Sequence, residues 1–342
     1  MGRVYLDYNA TAPLRAEARA AMLAAMEVVG NPSSVHAEGR AAKALVERAR
    51  AQVAAAVGCR AQEVVFTSGA TEAAGVLARW PGPVAVAPCA HDALWAHHRP
   101  EGSGAVLRAM GLANSETGII TEPSGEAREG ALLLDVTQAV GRVPFAFSWS
   151  GAEFAILSAH KLGGPKGVGA LIVRQGVDIE ALSLGGGQEM GRRSGTENII
   201  GIAGFGAAIE AAQRDLESGA WARVEKLRNI LESLLEDSAK ETIFVGKSER
   251  RLSNTSCFIA PGWKGETQVM SMDLAGFAIS AGSACSSGKV KASRVLEAMG
   301  FSALEAASAV RVSMGPGTTE TEIERFAATW AKQHEKYRAR AA

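Results

Sequence analysis

Two short apolar runs end in groups that could do chemistry. Leu132-Leu133-Leu134-Asp135-Val136-Thr137-Gln138 delivers an acid, and Phe154-Ala155-Ile156-Leu157-Ser158-Ala159-His160-Lys161 delivers a lysine. Each reads as a buried strand whose functional group sits at its end, where open α/β sheets carry their sites. A lysine that condenses with an aldehyde, beside a carboxylate that keeps a pyridine nitrogen protonated, is the pair a protein needs to use pyridoxal phosphate (PLP) as an electron sink. Strand-end Asp and Lys are also common without any such role, so the weight falls on the other motifs.

Thr67-Ser68-Gly69-Ala70-Thr71-Glu72 sits where a strand turns into a helix, and Gly69 lets a phosphate approach the exposed backbone N–H groups. An ordinary helix start, with Ser68 or Thr71 as cap and Glu72 in the first turn, accounts for the same residues. After Lys161, the run Leu162-Gly163-Gly164-Pro165-Lys166-Gly167 forbids a helix and makes a tight loop, and Ser158 and His160 are placed to donate to a phosphate. Lys166 competes for the aldehyde but lies inside the glycine loop, further from the strand end. Gly282-Ser283-Ala284-Cys285-Ser286-Ser287-Gly288 holds one cysteine among small residues, a loop able to swing a thiol to a site, with Lys289 and Lys291 close enough to lower its pKa. A surface turn with an incidental cysteine is the plainer alternative. Arg311, in the alternating strand pattern Ala309–Ser313, could aim a two-pronged fork at a carboxylate or lie on a solvated face. Arg192-Arg193-Ser194-Gly195-Thr196 would serve an anion equally well. His91 could stack on a planar ring or be a polar loop residue.

These groups need a scaffold, and the chain supplies one. Lys plus Arg and Asp plus Glu each number 36 in 342 residues, so the formal charge is zero, which argues against a nucleic-acid or polyanion surface. The N-terminus lacks the apolar core of a signal peptide, no apolar run reaches a bilayer span, and the cysteines (Cys59, Cys89, Cys257 and Cys285) show no paired spacing. A soluble protein of a reduced cytoplasm, with no metal site and no membrane association, is expected. Leu45, Ala49, Val53 and Val57 mark one helical face that stops at Gly58. Strands are expected at Val64–Phe66, Val84–Ala87, Ala105–Leu107, Leu132–Asp135, Phe154–Leu157 and Ala170–Val173. A helical stretch runs from Ile199 to Asp237 with a break near Gly219, and strands at Ser256–Ile259 and Val310–Ser313 and helices at Ser293–Met299 and Glu320–Arg338 follow. The fold class is α/β: a large domain (14–217) with a mostly parallel doubly wound sheet, and a smaller α+β C-terminal domain (218–342, with the segment 1–13) carrying the cysteine loop.

Taken together these motifs resemble the cysteine desulfurases, the NifS/IscS-like branch of the class V aminotransferase group. The resemblance runs from Tyr5-Leu6-Asp7-Tyr8-Asn9-Ala10-Thr11 and Gly30-Asn31-Pro32-Ser33-Ser34-Val35-His36 almost to the C-terminus, through every motif above. It implies the fold-type-I PLP-dependent transferase architecture and a homodimer with active sites at the interface. By the same resemblance Ala70, Thr71, Ser158 and His160 bind the phosphate, and Thr196 reaches in from the partner subunit. Asp135 pairs with the pyridine nitrogen, Gln138 with the ring hydroxyl, His91 stacks over the ring, and Asn114 is a further cofactor contact. Lys161 forms the Schiff base, Asn31 and Arg311 hold the substrate, and Cys285 accepts the sulfur, with Lys161 and His91 moving protons. L-cysteine is the implied substrate, alanine the product, and a sulfur-acceptor or iron–sulfur scaffold protein the implied partner, for iron–sulfur clusters, thio-cofactors or tRNA.

The chain departs from that pattern in three places. Ser115 stands where the family's ring-contacting asparagine is expected, Gly75 replaces another asparagine, and the stretch from Glu72 to Asn114 is short, which trims the outer sheet. Two other readings fit part of the pattern. A PLP-dependent lyase acting on selenocysteine or another β-substituted amino acid has no need of Cys285, and a non-catalytic paralogue that binds a partner has no need of Lys161, Asp135, Cys285 and Arg311 together.

Overall fold

The computed structural model describes residues 2–123, 130–282 and 292–341, and divides into two compact units. The larger unit comprises Thr11–Ala113 and Thr121–Glu217, the smaller one Met1–Ala10, Asn114–Ile120 and Ser218–Ala342.

The smaller unit contains β1 (Val4–Tyr5) and the larger begins with α1 (Ala16–Met26) and α2 (Ala37–Val57). The larger unit continues with β2 (Val64–Thr67), α3 (Ala70–Ala73), α4 (Gly75–Ala78), β3 (Val84–Val86), α5 (Asp92–Trp95), β4 (Leu107–Gly111), β5 (Ala131–Asp135), β6 (Phe154–Ser158), β7 (Gly169–Val173) and α6 (Ile199–Glu217). Its six strands lie in the order β2-β7-β6-β5-β4-β3, with β3 through β6 mutually parallel and β7 antiparallel to both neighbours. β5, β6 and β7 are near-continuous runs of Ala, Leu, Ile and Val, as strands covered on both faces must be. One core gathers Val65, Leu77, Leu107, Leu133, Phe154, Ile156 and Leu171, while α1 and α2 each pack on α6. The stop of α2 at Gly58 has its αL cap (φ 67°). The helical face of α2 buries Ala42, Val46, Ala49, Val53 and Val57 and, against the periodicity, Arg50.

The smaller unit is α+β. After α7 (Ala220–Ser238) come β8 (Ile243–Phe244), β9 (Thr255–Ile259), α8 (Gly265–Leu274), β10 (Phe277–Ala278), β11 (Ser280–Ala281), α9 (Arg294–Ala298), α10 (Ala303–Ala307), β12 (Ala309–Ser313) and α11 (Glu320–Ala341). Strands β11-β12-β9-β8 form an antiparallel sheet, and β1 pairs in parallel with β10. Two assignments differ from the sequence division. Residues 114–120, read there with the large domain, belong to the smaller unit, where Ile120 N donates to Arg250 O and Leu252 N to Gly118 O. Residues 11–13, read with the small domain, belong to the larger one, where Ala12 N donates to His160 O. Such long-range pairings leave no trace in local periodicity. Among the described residues no helix is long and apolar enough to cross a membrane, and no group of His, Cys, Asp and Glu is arranged to hold a metal.

Candidate active site

The sheet register sets the site of the larger unit. Gly111 pairs with Asp135, Asp135 with Ile156, Ser158 with Gly169, and Gly169 with Thr67. The carboxyl ends of β4, β5, β6 and β2 therefore share one edge, with the start of β7 among them. This is the edge on which open α/β sheets bind ligands. Asp135 is half-buried there, and its Oδ1 accepts from Thr137 N at 2.9 Å. Thr137 Oγ1 beside it is buried with no hydrogen-bond partner. Gln138 is buried, its Oε1 held by the Arg142 guanidinium.

Lys161 ends a tight 3-10 turn, Ala159–Lys161, set directly on β6. Two arginines immobilise its backbone. Arg142 Nη2 donates to Lys161 O at 2.8 Å, and Arg15 Nε donates to Leu162 O at 2.8 Å while pairing with Asp215 at 2.6 Å. Gly163 (φ 90°) makes the turn possible, and a Cβ there would lie 2.6 Å from Arg15 Cγ. His160 Nδ1 lies 3.2 Å from Thr11 Oγ1. Burial, then the charges of Lys161 and Lys166, push its pKa down to about 4. At neutral pH His160 is an uncharged imidazole with a single N–H to give.

The 67–72 turn departs from the sequence reading in one respect. The helix it opens is a single turn, Ala70–Ala73, capped by Gly69 without any side-chain bond, so neither Ser68 nor Thr71 is its cap. The dipole of so short a helix is weak, and the anion-binding capacity rests on individual N–H groups. Ser158 Oγ accepts from Ala70 N at 2.8 Å, which aims the serine's own O–H outward as a donor. A Cβ on Gly69 would stand 3.4 Å from that oxygen, so glycine keeps open the space in front of it. Gly169 presses from beneath, since a Cβ there would fall 2.7 Å from Gly69 Cα. Glu72 locks the turn from outside, with Oε2 accepting from Ser68 N at 2.6 Å and Oε1 paired with Arg193 Nε at 2.9 Å. Burial alone would raise the Glu72 carboxyl, yet the bonds from Arg193 and Ser68 outweigh it and hold it below the ordinary carboxylate range. Arg193, read from sequence as an anion site, is committed to Glu72 instead.

The remaining candidates of the larger unit make other contacts or lie exposed. His91 is exposed and caps α5, its Nδ1 accepting from Ala93 N at 3.1 Å, which leaves the proton on Nε2. Asn31 is exposed and closes a turn by accepting from Ser33 N at 2.9 Å. Thr71 and Thr196 are exposed. Cys285, with its loop 283–291, lies outside the described residues. Burial pushes the thiols of Cys59 and Cys257 up to about 12, which makes both poor nucleophiles.

In the smaller unit Asn114 Oδ1 accepts from Glu116 N and Thr117 N, both at 2.9 Å, and so shapes the 114–117 turn. Arg311 on β12 is 8% exposed, which removes the solvated-face alternative. Its Nη2 donates to Asp7 Oδ1 at 2.7 Å and its Nη1 to Ser115 O at 2.8 Å, while Nε is buried without a partner. Asp7, Arg15, Arg142 and Glu72 were not singled out by sequence reasoning as supports. Only Arg142, four residues beyond Gln138, carried a local signal, the spacing of neighbours on one helical turn.

Comparison with known proteins agrees with this architecture. A solved NifS-like protein from Rickettsia africae superposes with a TM-score of 0.90 at 28% identity, covering 97% of this chain and 99% of that one. A cysteine desulfurase of Cereibacter sphaeroides is 38% identical over 95% of this chain and 94% of its own length, and one of a Frankia strain is 40% identical over 94% and 88%. The family model described as aminotransferase class-V matches residues 4–83 and 105–326, which takes in the strand-end acid, the lysine turn, the 67–72 turn and Arg311. With that match spanning both units, the chain belongs to the class-V aminotransferase family.

Proposed function

We propose that this chain is a cysteine desulfurase that converts L-cysteine to L-alanine and takes the sulfur onto Cys285 as a persulfide. The observation that carries the reading is the register that sets Asp135, Ser158, the 67–72 turn and the Lys161 turn on one strand edge, in a chain 38% identical to a cysteine desulfurase. The cofactor is PLP, and the residues suit it. A half-buried carboxylate, a serine hydroxyl facing the space that Gly69 keeps open and a lysine on an immobilised turn match its pyridine nitrogen, phosphate and aldehyde. Bound there, PLP supplies an electron sink for the substrate Cα.

Ala70, Thr71, Ser158 and His160 hold the phosphate, with Thr196 of the partner subunit completing the cradle in a homodimer. Asp135 keeps the proton on the pyridine nitrogen. Gln138 and Asn114 contact the ring substituents, and His91 lies against the ring. Lys161 Nζ holds the aldehyde and, with His91 Nε2, moves the protons at the substrate carbons. Arg311 and Asn31 bind the substrate carboxylate. The Cys285 thiolate attacks the substrate sulfur, the sulfur–sulfur bond forms as the carbon–sulfur bond breaks, and the electron pair stays with carbon, which is protonated to give alanine. A cytoplasmic sulfur-acceptor or iron–sulfur scaffold protein then takes the persulfide sulfur. No nucleic-acid or membrane partner belongs to this reading, and the neutral overall charge argues against a nucleic-acid surface.

PLP-loaded protein given L-cysteine under anaerobic, reducing conditions should release alanine and sulfide in equal amounts. Cys285→Ala should retain the cofactor's absorption spectrum and lose sulfide release. Unchanged turnover in that variant, or bound cofactor with neither product in the unaltered protein, would overturn the reading.

A further inference from the structure

Arg311 is held more tightly than carboxylate binding alone requires. A guanidinium offers five N–H donors in a rigid plane. Asp7 Oδ1 takes one from Nη2 at 2.7 Å and the Ser115 carbonyl takes one from Nη1 at 2.8 Å. The remaining donors, the buried unpartnered Nε among them, have their directions fixed by those two bonds. Both anchors are themselves fixed. Asp7 bridges to Ser313, its neighbour Leu6 N donates to Ala278 O, and its Oδ1 also accepts from Ser280 Oγ at 2.9 Å. Ser280 is the cross-strand partner of Arg311. The Ser115 carbonyl accepts a second bond, from Nδ2 of the 1%-exposed Asn9 at 3.2 Å. A backbone carbonyl serves here, so the side chain at 115 plays no part in the clamp.

Charge argues that the arrangement is for aim and not for attraction. Asp7 neutralises the cation that would draw in a substrate carboxylate and so weakens the long-range pull. It also fixes the fork that a planar carboxylate must meet on two prongs. We propose that Asp7 is a positioning residue for substrate recognition, holding the plane of the Arg311 guanidinium so that its remaining N–H groups face the α-carboxylate of the amino acid. The inference rests on Arg311 being the carboxylate site, as in the function proposed above.

The test uses the PLP-loaded enzyme with L-cysteine and with cysteamine, which lacks the carboxylate. Losing one charge-assisted bond from the clamp should raise KM for L-cysteine about tenfold or more in Asp7→Ala, with kcat within about threefold. KM for cysteamine should not change, a selectivity that general loosening of the unit would not produce. Asp7→Asn keeps an acceptor oxygen while removing the charge, and should hold KM for L-cysteine at or below that of the unaltered enzyme. Asp7→Ala that binds L-cysteine normally, or that weakens both substrates equally, overturns the proposal. If Asp7→Ala does not fold, Asp7→Glu decides, because it keeps the charge but displaces the acceptor. It should raise KM for L-cysteine about threefold on the same reasoning, and an unchanged value overturns the proposal. Arg311→Ala separates the two levels of inference. If it leaves the preference for L-cysteine over cysteamine intact, the assignment of Arg311 fails; if it abolishes the preference and the Asp7 variants do not, only the role of Asp7 fails.

Discussion

The most consequential buried contact of the larger unit is the pair of Arg50 on α2 with Glu189. Arg50 Nη1 reaches Glu189 Oε2 at 2.7 Å and Nη2 reaches Oε1 at 2.9 Å, with side-chain exposures of 7% and 2%. Glu189 Oε2 also accepts from Phe66 N at 2.8 Å, Arg50 Nη1 donates to Val64 O at 2.8 Å, and the guanidinium lies 4.9 Å over the Phe66 ring. The pair thus grips β2 at Val64 and Phe66, just before the 67–72 turn. It also holds Glu189 and Met190 at φ 51° and 59°, a left-handed conformation that non-glycine residues adopt at a cost of roughly 1–2 kcal/mol each. Glu189→Ala strands a buried guanidinium and a strand N–H, which should cost about 3–5 kcal/mol. For a unit of about 200 residues each kcal/mol lowers Tm by roughly 2–4 °C, so a fall of roughly 6–20 °C is expected in thermal unfolding followed by circular dichroism. Glu189→Gly removes the same bonds but relieves the strain at that residue, and should unfold roughly 2–8 °C above Glu189→Ala. Replacing both partners, as Arg50→Met with Glu189→Leu, leaves no stranded charge and should also lie above the single variant. A Glu189→Ala protein that unfolds within about 2 °C of the unaltered one would refute this reasoning, because such a shift corresponds to less than about 1 kcal/mol.

Two further outcomes follow from the same unit. Ser158→Ala removes the acceptor for Ala70 N and the outward hydroxyl together, and should weaken PLP affinity about tenfold or more, read by equilibrium titration of the cofactor's absorbance. His160 bears on pH. Its folded pKa of about 4 lies below the ordinary 6.5, so the unfolded chain binds more protons between those values and folding stability falls as pH drops through that window. In cofactor-free protein His160→Gln should flatten the decline of Tm between about pH 6.5 and 4, and an unaltered slope would mean that His160 is not held neutral.

What the sequence displayed and what it concealed divide along a physical line. Apolar runs ending in Asp135 and in Ser158-Ala159-His160-Lys161 were legible because a strand covered on both faces must be almost wholly apolar, which leaves its polar end conspicuous. Gly58 as a stop and the break at Gly219 were legible for the same local reason, the freedom of glycine to adopt positive φ. β4 was placed too early, at 105–107 instead of Leu107–Gly111. Its last four residues, Arg108 to Gly111, lack the β-branched residues that mark a strand. The supports of the site were not legible. Asp7 and Arg311 are 304 positions apart, Glu72 and Arg193 are 121 apart, and nothing local in either sequence segment names the other. Arg50 falls on the buried face of α2 between Ala49 and Val53, where helical periodicity calls for an apolar residue. A buried carboxylate 139 positions away, with Val64 O and Glu47, makes it tolerable there.

The departures from the cysteine desulfurase pattern are best weighed by which strands carry them. The shortened stretch between Glu72 and Asn114 folds as α3, α4, β3, α5 and β4, and supplies one edge of the sheet, where β3 is a three-residue edge strand. The order β2-β7-β6-β5 is untouched by it. Strands β2, β7, β6 and β5 deliver Thr67, Gly169, Ser158 and Asp135, so shortening the opposite edge at β3 removes none of the register that aligns them. Gly75 falls at the start of α4, where an added Cβ would meet the Arg79 and Leu182 side chains only at ordinary contact distances of 3.6 and 3.7 Å. That position is open to a larger residue and is not a place where glycine is required. Ser115 contributes its carbonyl, an atom that every residue type possesses, to the clamp on Arg311. The shortened edge and Gly75 therefore leave the aligned register intact, and at position 115 a backbone atom keeps the clamp on Arg311 while the asparagine side chain expected there is absent.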